Sequence, residues 1–153
     1  MQLLREEEFW NTITHFIGLI ASIIGCTYLI YSNNNLSILS FISIFFFGFG
    51  LIGVYLSSTL YHFISEPVLK EKLRIFDHIS IYYLIAGSYA PVCLITLVDQ
   101  SGIYILIGVS IIAILGTIFK LLYIGKFEKI SLSLYLIMGW LIIFDIRSLL
   151  EIL

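Results

Sequence analysis

The chain has 153 residues, of which 60% are hydrophobic and 12% charged, with a formal net charge of −2 and a mean hydropathy of +1.07. Soluble domains are about half apolar, so this composition calls for a bilayer as solvent. The eight basic residues are scattered, with no patch in which they alternate with aromatics, which excludes a nucleic-acid partner.

Five apolar stretches follow in order, at about 13–31, 38–64, 76–98, 103–124 and 131–150. Each is long enough for a helix rising about 1.5 Å per residue to cross about 30 Å of hydrocarbon. A barrel strand alternates apolar and polar residues, whereas Phe41 to Leu56 (FISIFFFGFGLIGVYL) is apolar almost throughout. The fold class predicted is therefore all-α, a polytopic transmembrane helix bundle forming one membrane domain over 1–153. The leading MQLLREEEFWNT is mostly acidic and is followed by a span-length apolar run with no small-residue cleavage site, so the chain is expected to insert uncleaved.

In the first span, Glu8, Asn11, His15, Gly18 and Ser22 recur at helical spacing and form a polar-to-small stripe expected to face other helices. Glu6, Glu7 and Glu8 also suit a solvated first turn that complements the helix N-terminus. In the second span, Ser58 and His62 are four apart and share a face, with Tyr55 one turn away; Gly48, Gly50 and Gly53 suit close helix contact in lipid. In the third, Asp77, Ser80, Leu84 and Ser88 form the corresponding stripe, and Pro91 removes an amide donor and should bend the helix. Lys120 closes the fourth span and is expected to snorkel to headgroups or to pair with an inward acid. Asp145 and Arg147 read as interfacial polar residues at the end of the fifth. Cys26 and Cys93 have no paired spacing and read as small packing residues.

Orientation follows from Lys and Arg near span ends. Arg5, Lys70, Lys72, Arg74, Lys120, Lys126 and Lys129 fall on one side, and Arg147 alone elsewhere; the first connection, with Asn33, Asn34 and Asn35, and the third, from Asp99 to Gly102, carry no basic residue. The N-terminus is expected in the cytoplasm and the C-terminus outside, in a multi-pass protein of the cell membrane. His15, His62, Asp77 and His78 then meet at one level, just inside the cytoplasmic face. Neutral imidazole is a common zinc ligand, and a carboxylate binds the metal or deprotonates its water. An acid in a span normally faces the bundle interior. The bland alternative is that His, Tyr and Asp here only anchor helix ends in the headgroup layer.

Three blocks carry a resemblance: Glu8 to His15 (E-F-W-N-T-I-T-H), Ser57 to His62 (S-S-T-L-Y-H) and Leu73 to Pro91 (L-R-I-F-D-H-I-S-I-Y-Y-L-I-A-G-S-Y-A-P). With Phe119-Lys120 and Met138-Gly139-Trp140 they resemble the bacterial hemolysin III family, which is related to the progestin and adipoQ receptors and, distantly, to alkaline ceramidases. The resemblance implies a seven-helix fold with zinc near the cytoplasmic face, bound by His62 and by two histidines of a His-x-x-x-His motif on the last span. Ser58 and Asp77 match the family's serine and aspartate, with Asp77 orienting or activating the zinc-bound water. This chain has no histidine beyond His78. The expectation is a shortened or partial member with five of seven spans and an incomplete metal set, unless His15 or His78 joins His62 and Asp77.

Three functions are compatible with that resemblance. One is a zinc-dependent hydrolase of a lipid amide or ester, in which Asp77 takes the water's proton and Ser58 or Tyr61 holds developing negative charge. A second is a non-catalytic or receptor-like regulator of membrane composition. The third is a pore-forming cytolysin, weakest because such a protein must stay soluble before insertion and no polar face is available to hide these spans. In each the partners are membrane lipids.

Overall fold

Five helices long and apolar enough to cross a membrane succeed one another in the computed structural model, which describes residues 2–32, 37–123, 126 and 128–152. They are α1 (Gln2–Ser32), α2 (Ile38–Phe63), α3 (Pro67–Pro91), α4 (Gly102–Leu122) and α5 (Glu128–Trp140); a short α6 (Ile146–Ile152) completes the fifth span. No strand occurs among the described residues. Asn33, Asn34 and Asn35 lie outside them.

The helices pack in series. α1 lies on α2, α2 makes the most extensive interface with α3, and α4 and α5 close over the other side of α3. The buried apolar centre sits there, with Tyr82, Tyr89 and Cys93 of the third span against Val109 and Ala113 of α4 and Met138 of α5. Most other large apolar side chains point outward, the arrangement expected where lipid is the solvent. Cys26 and Cys93 are buried and unpaired, as packing residues should be.

The α2–α3 interface is set by glycine. A methyl group added at Gly50 would lie 2.6 Å from the Tyr83 carbonyl oxygen, and one at Gly87 would lie 2.6 Å from that of Phe46. The two backbones therefore approach reciprocally where neither has a Cβ. Gly25, Gly53, Gly108 and Gly139 meet nothing within 4 Å and set no such contact.

Two helix boundaries differ from the apolar runs. α3 begins at Pro67, about nine residues before its apolar stretch, so Lys70, Lys72 and Arg74 stand on a helix rather than in a connection. Hydropathy marks where lipid begins, whereas the start of the helix is set by local chemistry: Pro67 supplies a preformed first turn, and the Glu66 carboxylate accepts from Leu69 N–H (2.6 Å) and Val68 N–H (3.0 Å). Those two donors, Leu69 first, hold the Glu66 carboxyl below its usual value. The folded cap therefore binds its proton less readily than a frayed one, so its support is present above the ordinary carboxylate range and lost as pH falls through the lowered value. Amide exchange at Val68 and Leu69 is expected to accelerate with falling pH in the parent, and to be fast at every pH in Glu66→Ala once intrinsic rates are corrected.

Pro91 ends α3, and the chain continues as a π-helical turn, Val92–Thr96, with Leu97 N–H bonding to the Val92 carbonyl at 2.9 Å. The fifth span is broken as well, passing through a 3₁₀ segment at Leu141–Asp145. Tyr89 repairs this break from the facing helix. Its hydroxyl donates to the Met138 carbonyl at 2.7 Å and accepts from Ile142 N–H at 3.2 Å. Tyr89→Phe leaves both groups short of a partner away from water, and a loss of about 1–3 kcal/mol is expected in detergent unfolding monitored by circular dichroism.

Candidate functional site

The basic ends of the first three spans converge on two polar groupings. In the first, the Ser58 hydroxyl of α2 donates to the Asp77 carboxylate of α3. Beside it, the Ser57 and Ser80 hydroxyls lie 2.9 Å apart, and Ser80 also donates to the Asp77 carbonyl at 2.6 Å. Ser58 is buried and Asp77 half-buried, so this acid faces a neighbouring helix.

In the second, Glu8 of α1 lies 2.7 Å from His62 Nδ1 and 3.1 Å from Lys70 Nζ. An ionised carboxylate only accepts, so Nδ1 carries the hydrogen and Nε2 is the remaining ring nitrogen of His62. The His15 ring stacks on that of His62 at 5.4 Å with 5° between planes. Lys70 donates to the Tyr61 carbonyl at 3.0 Å and stands 4.7 Å over the Tyr61 ring. A cleft of about 590 Å³ opens here, lined by Arg5, Glu8, Thr12, His62 and Lys70.

Of the residues singled out in the sequence, Glu8, His15, His62 and Tyr61 are thus gathered, and Ser58 and Asp77 are paired directly. Asn11 is exposed and its side chain joins neither group. His78 follows Asp77 but turns to another face of α3, where it lines a separate cavity with Lys120. Lys70 lies between the second and third apolar stretches, where hydropathy gives no sign of a helix; the Glu66-Pro67 helix start is the available signal. Lys120 neither snorkels nor finds an acid, being 2% exposed and absent from every ion pair among the described residues.

A carboxylate on one nitrogen of a histidine is how proteins commonly orient a metal ligand through the other, which suits His62. A full zinc set needs at least three protein donors converging on one point. Among the described residues no group of three or more His, Cys, Asp or Glu side chains meets that need. The parallel stack also keeps the in-plane lone pairs of His15 and His62 from converging. These residues fit one zinc ligand and not a complete centre.

The haemolysin-III related family profile matches residues 4–153. The chain is 39% identical over 145 residues to "Hemolysin-3 homolog" of Bacillus subtilis (strain 168), covering 94% of this chain and 68% of that protein. It is 40% identical over 147 residues to "Hemolysin-3" of Bacillus cereus, covering 95% and 67%. At lower similarity, 28% over 141 residues, it matches "Monocyte to macrophage differentiation factor" of Homo sapiens, covering 88% and 58%. No solved structure matches.

Proposed function

This chain belongs to the haemolysin-III related family, and from that premise we propose that it serves membrane lipid homeostasis by hydrolysing a lipid amide or ester at the basic end of its first three spans. The observation that carries the reading is the Ser58–Asp77 pair, one helical turn from Glu8-anchored His62, which itself lines the cleft. Asp77 is the group able to take a proton from an attacking water, and Ser58 holds its carboxylate in place. Glu8 fixes the His62 ring, and Lys70 supplies positive charge for the anionic part of a lipid headgroup. Zinc enters this reading only with donors beyond the described residues, His62 giving one ligand, so no step is written through it. The N-terminus is placed in the cytoplasm on the strength of the Lys and Arg distribution.

A second reading has an observation of its own. Ser58–Asp77, Ser57–Ser80 and Glu8–His62 each join two different helices, which suits polar staples in a regulator of membrane composition that turns nothing over. The chain in vesicles containing lipids with labelled amide- or ester-linked acyl groups separates the two. Release of labelled fatty acid is expected. Its absence, together with altered lipid composition in cells expressing the chain, would replace the hydrolase by the regulator.

A further inference from the structure

We propose that α3, α4 and α5 form a second site, for the phosphate of a membrane lipid headgroup, built on Lys120 and Ser131. Lys120 lies near the end of α4 and is 2% exposed; Ser131 lies near the start of α5 and is 3% exposed. Both line a cavity of about 270 Å³ with His78, Lys129, Glu128 and Tyr135. The Ser131 hydroxyl has no hydrogen-bond partner, and Lys120 takes part in no ion pair among the described residues. A lysine removed from water with no acid in contact is costly, and buried charges are ordinarily paired.

The inventory around the cavity is rich in donors and poor in acceptors. Lys120, Lys129, Ser131 and the His78 ring all have hydrogens to give. The one acid, Glu128, is exposed at the rim and faces Arg74 at 3.9 Å. The Tyr135 hydroxyl is already spent on the His78 carbonyl at 2.7 Å. One turn further into the bundle the Tyr82 hydroxyl is also buried, its ring 4.5 Å from that of Tyr135. A phosphate brings several acceptor oxygens and negative charge, which is what these groups lack.

Position favours a lipid as its source. The cavity lies where the α4 span ends and the fifth span begins, the level at which a span-length helix would meet headgroups, with further basic residues around it that attract anionic lipid. Leu132 lines the same cavity and is exposed on the span surface, offering an acyl chain a path alongside the phosphate. This site stands apart from the Ser58–Asp77 pair and does not depend on the hydrolase reading.

The test is binding of dihexanoyl phosphatidic acid to the 153-residue chain in non-ionic detergent, read as a saturable rise in thermal midpoint, with inorganic phosphate and dihexanoylglycerol as separate arms. Phosphatidic acid is expected to bind and the other two to bind far more weakly. Lys120→Met should weaken binding by on the order of a hundredfold and Ser131→Ala by roughly tenfold. Without ligand, Lys120→Met should be at least as stable as the parent, because a buried unpaired charge is gone; Asp77→Asn should bind as the parent does. Parental affinity in both Lys120→Met and Ser131→Ala, no saturable binding, or equal binding of inorganic phosphate would overturn the proposal.

Discussion

Asp77→Asn is expected to lower fatty acid release from vesicle lipids by about a hundredfold to ten-thousandfold, the range lost with a positioned general base. The amide keeps an acceptor for the Ser58 hydroxyl, so the α2–α3 link and the fold should survive. Asp77→Ala removes both the base and the link, and should lose turnover and stability together. The comparison between the two variants is decisive. If Asp77 only staples helices, Asn should restore whatever Ala loses; if it accepts a proton, Asn should be as inactive as Ala while unfolding like the parent. Turnover by Asp77→Asn at the parental rate would remove the hydrolase mechanism. Ser58→Ala belongs to the same series and should cost less, roughly tenfold, because the carboxylate remains and loses only one partner.

Gly87→Leu should damage the fold severely. The first atom of any side chain there would stand 2.6 Å from the Phe46 carbonyl oxygen, and a backbone oxygen inside a helix cannot swing aside. α2 and α3 must then move apart, and overpacking of this kind costs about 1–3 kcal/mol, occasionally more. Separation would also pull Ser58 from Asp77 and Ser57 from Ser80, so activity should fall with stability. Gly50→Leu meets the Tyr83 carbonyl at 2.6 Å and should behave alike. Gly53→Leu, on α2 like Gly50 but with nothing within 4 Å of the added carbon, is the control and should leave stability unchanged or raise it by up to about 1 kcal/mol. Thermal unfolding in detergent, followed by circular dichroism, reads all three. Helix propensity favours leucine over glycine, so an equal loss at Gly53 would trace the cost to lipid contact, not to opening the α2–α3 interface.

Much of this architecture is legible in the chain itself. The five spans follow from unbroken apolar length, since lipid offers backbone groups no partner and forces helix. The pairing of Ser58 with Asp77 was foreshadowed by their depth at adjacent span ends and by the stripes they head. The burial of Cys26 and Cys93 needed only their size and spacing. Other features were not legible. Lys70 reaches Glu8 because α3 starts at Pro67, well before lipid does, and hydropathy is blind to a helix that begins in water. The break at Leu141 lies in an apolar run with no proline or glycine pair to announce it; Tyr89, far away in sequence, is what makes it tolerable. Glu8 resembled a solvated first-turn acid until α2 brought His62 within 2.7 Å of it.

The division has one physical root. Transfer from water to lipid acts on each stretch of chain separately and depends on what its residues are, so the sequence alone determined the helices, their number and the end at which basic charge collects. Contacts between polar side chains depend on how each helix is rotated about its axis and how near its neighbour stands. Those quantities are set jointly by Gly50 against α3, Gly87 against α2 and the packing around Tyr82. Only the tertiary structure could therefore decide that His62 meets Glu8, that His78 turns away from Asp77, and that Lys120 ends buried beside Ser131.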